Sequence, residues 1–286
     1  MVPVCTAVNN TCNKESPSNM KVLQGLAYLS VFLVGLVLNI VALSVFFAKR
    51  ATWTGTHIYM LNLSVADCAL ILFLPFRIYD SFLCLSNLNL CSILISIHYI
   101  NMYASIFTVT AISIHRYVAV KFPFQTRAWH SKKVARFVCG AVWIIVLAIS
   151  IMFSIANSPS HLSSCFERRE KMPVELLVVL EVLGYLVPLF IIMFCSIQII
   201  LVLLKKKNED ITLEKNIVGI VTANLIVFVV CFTPIHVGYL LRYLDSDNSY
   251  NIIWLVCEWI ATTNCTFDSI SYYYLLKVFY SEASKR

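Results

Sequence analysis

CSILISIHYINMYASIFTVTAISIHRYVAVK, residues 91–121, opens on a cysteine and closes on His115-Arg116-Tyr117. Between them runs an apolar segment that carries His98, Tyr99, Asn101, Tyr103, Ser105, Thr108 and Ser113. A helix rising about 1.5 Å per residue over this length outreaches a hydrocarbon core of roughly 30 Å. Hydroxyls, amides and an imidazole need hydrogen-bond partners that lipid does not supply. The stretch therefore reads as a central, tilted transmembrane helix enclosed by other helices. Its cysteine end is expected in an oxidising compartment and its arginine end in the cytosol.

The composition around it agrees. The chain has 286 residues, is 59% hydrophobic and only 13% charged, against roughly half and a quarter in a soluble domain. That balance points to a polytopic membrane protein. The formal charge of +7 would suggest nucleic acid in a soluble chain; here its placement matters more, and no nucleic-acid partner is expected. The first twenty residues contain no basic stretch leading into an apolar one, so no cleavable signal peptide is expected. Asn9-Asn10-Thr11 is a glycosylation acceptor if that end is outside.

Apolar runs recur at 22–48, 57–83, 88–121, 131–155, 173–204, 212–242 and 250–275, each long enough to span when tilted. Basic residues orient them. Lys49 and Arg50 follow the first run, Lys121, Arg127, Lys132, Lys133 and Arg136 the third, and Lys205, Lys206, Lys207 and Lys215 the fifth. On the other face Arg77, Arg168, Arg169 and Arg242 are diluted by acids. The positive-inside rule then puts the N-terminus outside and the C-terminus inside a plasma-membrane protein. The expected organisation is an extracellular segment 1–21, a seven-helix all-α bundle 22–275 and a short cytoplasmic tail or helix 8 at 276–286. The lysine runs also suit anionic lipid of the inner leaflet. Pro75, Pro188 and Pro234 lie inside apolar runs, where neighbouring helices tolerate the kink.

Taken in order, the landmarks resemble those of rhodopsin-like (class A) G-protein-coupled receptors over nearly the whole chain. They are Gly35-Leu36-Val37-Leu38-Asn39, Asn62-Leu63-Ser64-Val65-Ala66-Asp67, Cys91, His115-Arg116-Tyr117, Trp143, Pro188, Cys231-Phe232-Thr233-Pro234 and Asp268-Ser269-Ile270-Ser271-Tyr272. Each alone says little; one per helix in this order is specific. EVLGYLVP (181–188), LIVFVVCFTPIHVGYLLR (225–242) and NCTFDSISYYY (264–274) are similar to the branch holding G-protein coupled receptors 35 and 55, linked to kynurenate and lysophospholipids. The resemblance implies a Cys91–Cys165 disulfide, a heterotrimeric G protein and arrestin as partners, and no covalent chemistry. The chain departs from the pattern at His115, where the family carries aspartate, and at Phe232, Ser269 and Ser196.

Three sites follow. Arg116 carries a permanent charge and needs a partner; Glu214 at the start of the sixth run is the candidate, and parting the two would release that helix. Both are otherwise solvated interfacial charges. Tyr117 and Tyr272 belong to the same switch, and Phe228, Phe232 and Pro234 lie at the level where repacking would transmit. Asp67 and Asp268 are mid-span carboxylates, costly unless paired or ion-bound; with Asn39, Ser105 and Asn264, which the resemblance brings around them, they suit an allosteric sodium ion, a shared proton or a purely structural network. Toward the outer end, Arg77, His98, Tyr99, Met102, Tyr103, Glu181, Tyr185, His236, Tyr239, Arg242 and Glu258 outline a pocket for an acid on an apolar body. Against that, Glu181 or Glu258 would neutralise Arg77 in a structural pair.

No serine elbow, protease aspartate motif, HExxH or metal-type Cys/His spacing is present, so no enzyme and no resident cofactor is expected. A transporter would favour internal repeats, which are absent. A receptor that couples weakly because of His115, acting as a scavenger or through arrestin, is the nearer alternative.

Overall fold

The protein is described by a computed structural model over residues 19–48, 53–83, 85, 87–122, 131–156, 162–165, 167–168, 172–205, 211–244 and 251–271. Asn9, Tyr272 and the tail 276–286 with its expected helix 8 lie outside the described residues, as does the side chain of Glu214.

Six helices are long and apolar enough to cross a membrane. They are α1 (Asn19–Ala48), α2 (Gly55–Leu83), α3 (Leu88–Lys121), α4 (Lys132–Ala156), α5 (Val174–Lys205) and α6 (Ile211–Leu244). The seventh, α7 (Asn251–Thr262), turns at Thr263 and resumes as helix over 264–271. At the turn, the Thr263 N–H donates to both Trp259 O and Ile260 O at 3.1 Å. Residues 251–271 of the seventh run thus form one interrupted helix, and the interruption is not visible in their composition.

Where α3 begins is set by chemistry at Asn87, whose side-chain oxygen accepts from the N–H groups of Asn89 and Leu90 at 3.1 Å. Asp80 accepts from Leu85 N–H at 2.8 Å and so ties off the α2–α3 connection. The helix then runs through the middle of the bundle, touching α2, α4, α5, α6 and α7. Burial follows from that position. Tyr103, Ala104, Ser105 and Ile106 are all sealed from solvent, whereas α4 shows Phe137, Ile144, Ile151 and Ile155 along one open face. An apolar face of that size would aggregate in water; it is the ordinary surface of a helix that meets lipid.

Polar side chains lock the bundle from within. Trp143 Nε1 donates to Asn62 Oδ1 at 2.6 Å, and Asn62 Nδ2 donates to Thr108 Oγ1 at 3.0 Å, joining α4, α2 and α3. Cys91 of α3 is bonded to Cys165, which sits in the turn of a two-stranded antiparallel hairpin, β1 (Leu162–Ser164) and β2 (Glu167–Arg168). The disulfide end and the Arg116 end of α3 mark the two poles of the molecule.

Pro188 shapes α5. It has no N–H to donate and its ring would press on the carbonyl four residues back, that of Gly184. The chain answers with a π-turn at Val182–Leu186, in which the Val187 N–H reaches back five residues to Val182 O. Gly184 then lies against α3: a Cβ there would come 2.7 Å from Tyr103 Cε1. Only glycine permits that approach.

Candidate functional site

Toward the disulfide end, the polar residues expected to line one pocket fall into two groups. On the α1–α2–α7 side, Arg77 forms an ion pair with Glu258 through Nη2 and Oε2, with both side chains 9% exposed. The same Nη2 donates to the Tyr28 hydroxyl of α1 at 3.3 Å, and the guanidinium lies 5.1 Å from the centre of the Tyr28 ring. Burial in low dielectric leaves such a cation dependent on these partners. Of the two acids that sequence offered to Arg77, Glu258 is the one that meets it. Tyr28 gave no signal, being one aromatic in a long apolar run.

On the α5–α6 side, Glu181 pairs with His236, Oε1 to Nδ1 at 3.2 Å. Tyr185 stacks on the His236 ring at 4.3 Å and 14° and shares a 2.6 Å hydrogen bond with Thr233. The π-turn brings Gly184 against α3 and carries Tyr185 into the core beside it. Aromatics of α3 and α6 fill the space between: Tyr99 lies 6.3 Å from Tyr239, and Tyr103 meets His236 edge-on at 6.2 Å. Met102 is buried among them. Arg242 stays at the rim, its guanidinium 5.1 Å above the Trp254 ring. The two arginines therefore do not converge on one point.

From Tyr185, ring contacts pass to α6. Tyr185 lies parallel to Phe228 at 6.1 Å and 2°, and Phe228 meets Phe232 edge-on at 5.3 Å. Pro234 lies inside α6 just above. Below this path a cleft of about 430 Å³ is lined by Phe228, Phe232, Asn264, Asp268 and Arg116, among others.

Mid-bundle, Asp67 Oδ1 accepts from Asn101 Nδ2 at 3.0 Å and Asp268 Oδ2 accepts from Asn264 Nδ2 at 2.7 Å. Asn39 spends its amide hydrogens on the carbonyls of Gly35 and Cys265 at 3.0 and 3.1 Å. Among the described residues, four buried oxygens here have no hydrogen-bond partner: Asp67 Oδ2, Asn39 Oδ1, Ser64 Oγ and Ser105 Oγ. Such groups are costly when unmet, and an oxygen-only set suits a hard monovalent cation. Asn101 was visible as an amide inside the third run but was not assigned to Asp67.

At the opposite pole His115 packs edge-on against Tyr59 at 5.7 Å and 67°. Tyr117 meets Phe194 of α5 at 5.6 Å and lies beneath Lys121 Nζ, which donates to Gln198 Oε1 at 3.3 Å. Among the described residues Arg116 has no carboxylate partner; Glu214, proposed for it, falls outside those side chains.

Six helices of membrane-spanning length and an interrupted seventh, packed about the polar third of them, with a disulfide pinning a hairpin at one end and an arginine-lined cleft at the other, define a seven-transmembrane receptor. The chain belongs to the rhodopsin family of 7 transmembrane receptors, whose family model matches residues 38–272. It is 35% identical to G-protein coupled receptor 35 of Homo sapiens over 96% of this chain and 91% of that one. Lysophosphatidic acid receptor 6 of Gallus gallus is 30% identical over 93% and 94% of the two chains. G-protein coupled receptor 55 of Homo sapiens is 29% identical over 91% and 87%. Proteins of this family are multi-pass membrane receptors, not enzymes.

Proposed function

We propose that the chain is a plasma-membrane receptor, N-terminus outside, which binds an acidic ligand with an apolar body at the disulfide end. The ligand class is a small anionic metabolite or a lysophospholipid, in keeping with relatives named as receptors for lysophosphatidic acid. Occupancy biases a two-state bundle, α6 moves at its Arg116 end, and a heterotrimeric G protein engages the cleft that opens there. The observation that carries this reading is the pair of groups at the two ends of one aromatic path. Arg77 and half-buried His98 line the upper cleft, and ring contacts run from His98 through Tyr99, Tyr239, His236 and Tyr185 to Phe228, which lines the cleft that Arg116 shares.

Sodium fits the mid-bundle oxygens. Asp67, Ser105 and Asn39 would hold it, with Asn264 and Asp268 adjoining, and the ion would supply positive charge to two acids that have no basic partner among the described residues. It would favour the resting bundle and so oppose agonist. Arrestin and inner-leaflet lipid are further partners at the Arg116 end.

A second reading has an observation of its own. His115 is turned onto Tyr59 and lends Arg116 no carboxylate, which favours a receptor that couples weakly and works as a scavenger or through arrestin. Purified receptor in lipid discs, mixed with G proteins of each subtype and screened with acidic metabolites and lysophospholipids, separates the two. Ligand-stimulated nucleotide exchange on any subtype supports the first reading. Ligand binding without exchange, rescued by His115→Asp, supports the second.

A further inference from the structure

Beside the ion pair of Arg77 and Glu258 lies a cleft of about 340 Å³, lined by Tyr28, Phe73, Arg77, Leu94, His98 and Thr262 among others. Its walls are apolar apart from a few polar groups, which is the usual make-up of ligand sites. Two of those groups matter. Arg77 is already engaged by Glu258 and by the Tyr28 hydroxyl. His98 presents a buried Nε2 that has no hydrogen-bond partner among the described residues. A buried imidazole nitrogen without a partner is costly to keep, and this one lies in the same cleft as the guanidinium.

Glu258 lies on α7 and Arg77 on α2, so their bond also ties those two helices. An isolated buried carboxylate and an isolated buried guanidinium are each expensive, and each satisfies the other at rest. A guanidinium offers five donors in a planar fork, suited to a carboxylate or phosphate in two-pronged contact. Glu258 takes one nitrogen of that fork. An incoming acid that approached from the cleft would meet Arg77 and His98 together while repelled by the Glu258 charge next to them.

Resting on the anion-pocket reading above, we infer that this side cleft between α1, α2, α3 and α7 receives the ligand's acidic head, and that Glu258 is the resting counter-ion the head displaces from Arg77. The head is a carboxylate or a phosphate monoester. It takes hydrogen bonds from Arg77 and from His98 Nε2, and the apolar body lies along Phe73 and Leu94. Displacement frees α7 from α2, so the same exchange that selects an acid also loosens a tie between helices. Glu258 thereby sets selectivity: it disfavours weak anions and neutral lipids, which have nothing to offer Arg77 in its place.

The test uses the full chain in lipid discs and three probes: 1-oleoyl-glycerol phosphate, the aromatic acid quinoline-2-carboxylate, and monoolein as an uncharged control. Binding is read by the shift of thermal unfolding on titration. At least one acid is expected to bind the wild type, and which one tells phosphate from carboxylate. Glu258→Gln removes the competing charge and is expected to tighten that acid by about tenfold, while Arg77→Gln abolishes its binding and monoolein responds alike in all. If Arg77→Gln abolishes binding but Glu258→Gln binds as the wild type or more weakly, the anion pocket stands and the counter-ion exchange is overturned. If Arg77→Gln binds unchanged, or no acid binds any form, both fall. Should Glu258→Gln fail to reach the membrane, His98→Phe in the otherwise native chain carries the test. A loss of about tenfold for the acid alone supports the cleft; unchanged affinity removes it.

Discussion

Two sets of buried carboxylates stand a few helical turns apart and are handled in opposite ways. Near the disulfide end each acid has a basic partner on another helix, Glu258 with Arg77 and Glu181 with His236. Mid-bundle, Asp67 and Asp268 meet the amides of Asn101 and Asn264, and among the described residues neither carboxylate has a basic partner, while Asp67 Oδ2, Asn39 Oδ1, Ser64 Oγ and Ser105 Oγ have no hydrogen-bond partner. In the first set Arg77 and Glu258 balance each other's charge and leave ligand to compete for it. The second is short of positive charge and asks for a cation or a proton. In a bilayer the distinction is sharp, because neither set has water to fall back on.

The hardest way to break the contrast is to take one member from the first set. Arg77→Gln strands Glu258, and a buried charge left alone costs about 3–5 kcal/mol. Unfolding titrated with SDS is expected to show a loss of that order. The double variant Arg77→Gln/Glu258→Gln is expected to recover more than half of it, because no charge is then stranded. Additive losses would mean that the two side chains act independently and that the pair does not hold α2 to α7.

The second set predicts a smaller effect of a different kind. If sodium satisfies the mid-bundle oxygens, replacing choline by sodium should raise the stability of the wild type, by about 2.7 kcal/mol where the ion stands at 100 times its dissociation constant. Asp67→Asn is expected to remove the sodium response while leaving the chain folded, since an amide tolerates burial better than a charge. A wild type that responds equally to sodium and choline would favour a shared proton or a closed hydrogen-bond network.

How far these sites were legible in the residues differs between fold and detail. Seven long apolar runs divided by basic connections fix the number of spans because lipid allows few alternatives. One landmark per run, from Asn39 to Asp268, then orders them. What escaped depended on rotation about each helix axis, on which composition is silent. Nothing in the runs says that Arg77 turns to Glu258 in preference to Glu181, that Tyr28 supports it, or that Asn101 answers Asp67. The π-turn before Pro188 and the break at Thr263 escaped for a related reason. Both are local rearrangements of hydrogen bonds within an apolar run that hydropathy reads as continuous. The hairpin around Cys165 lies in a connection too short and polar to show a strand pattern.

The smallest expected effect sharpens the comparison within the first set. Arginine is charged under all ordinary conditions, so its partner must be charged as well. An imidazole donates Nδ1–H to an acceptor whether or not it is protonated, so the hydrogen bond from His236 asks only for an oxygen. Glu181→Gln retains that oxygen at nearly the same reach. The Tyr185 ring, stacked on His236 at 4.3 Å and tied to Thr233, also holds the imidazole in place from its other face. The substitution is therefore expected to cost no more than about 1 kcal/mol in the same SDS titration. A loss as large as that of Arg77→Gln would show that His236 is carried as a cation, and the α5–α6 contact would then be a second charged tie of the same kind as the one between α2 and α7.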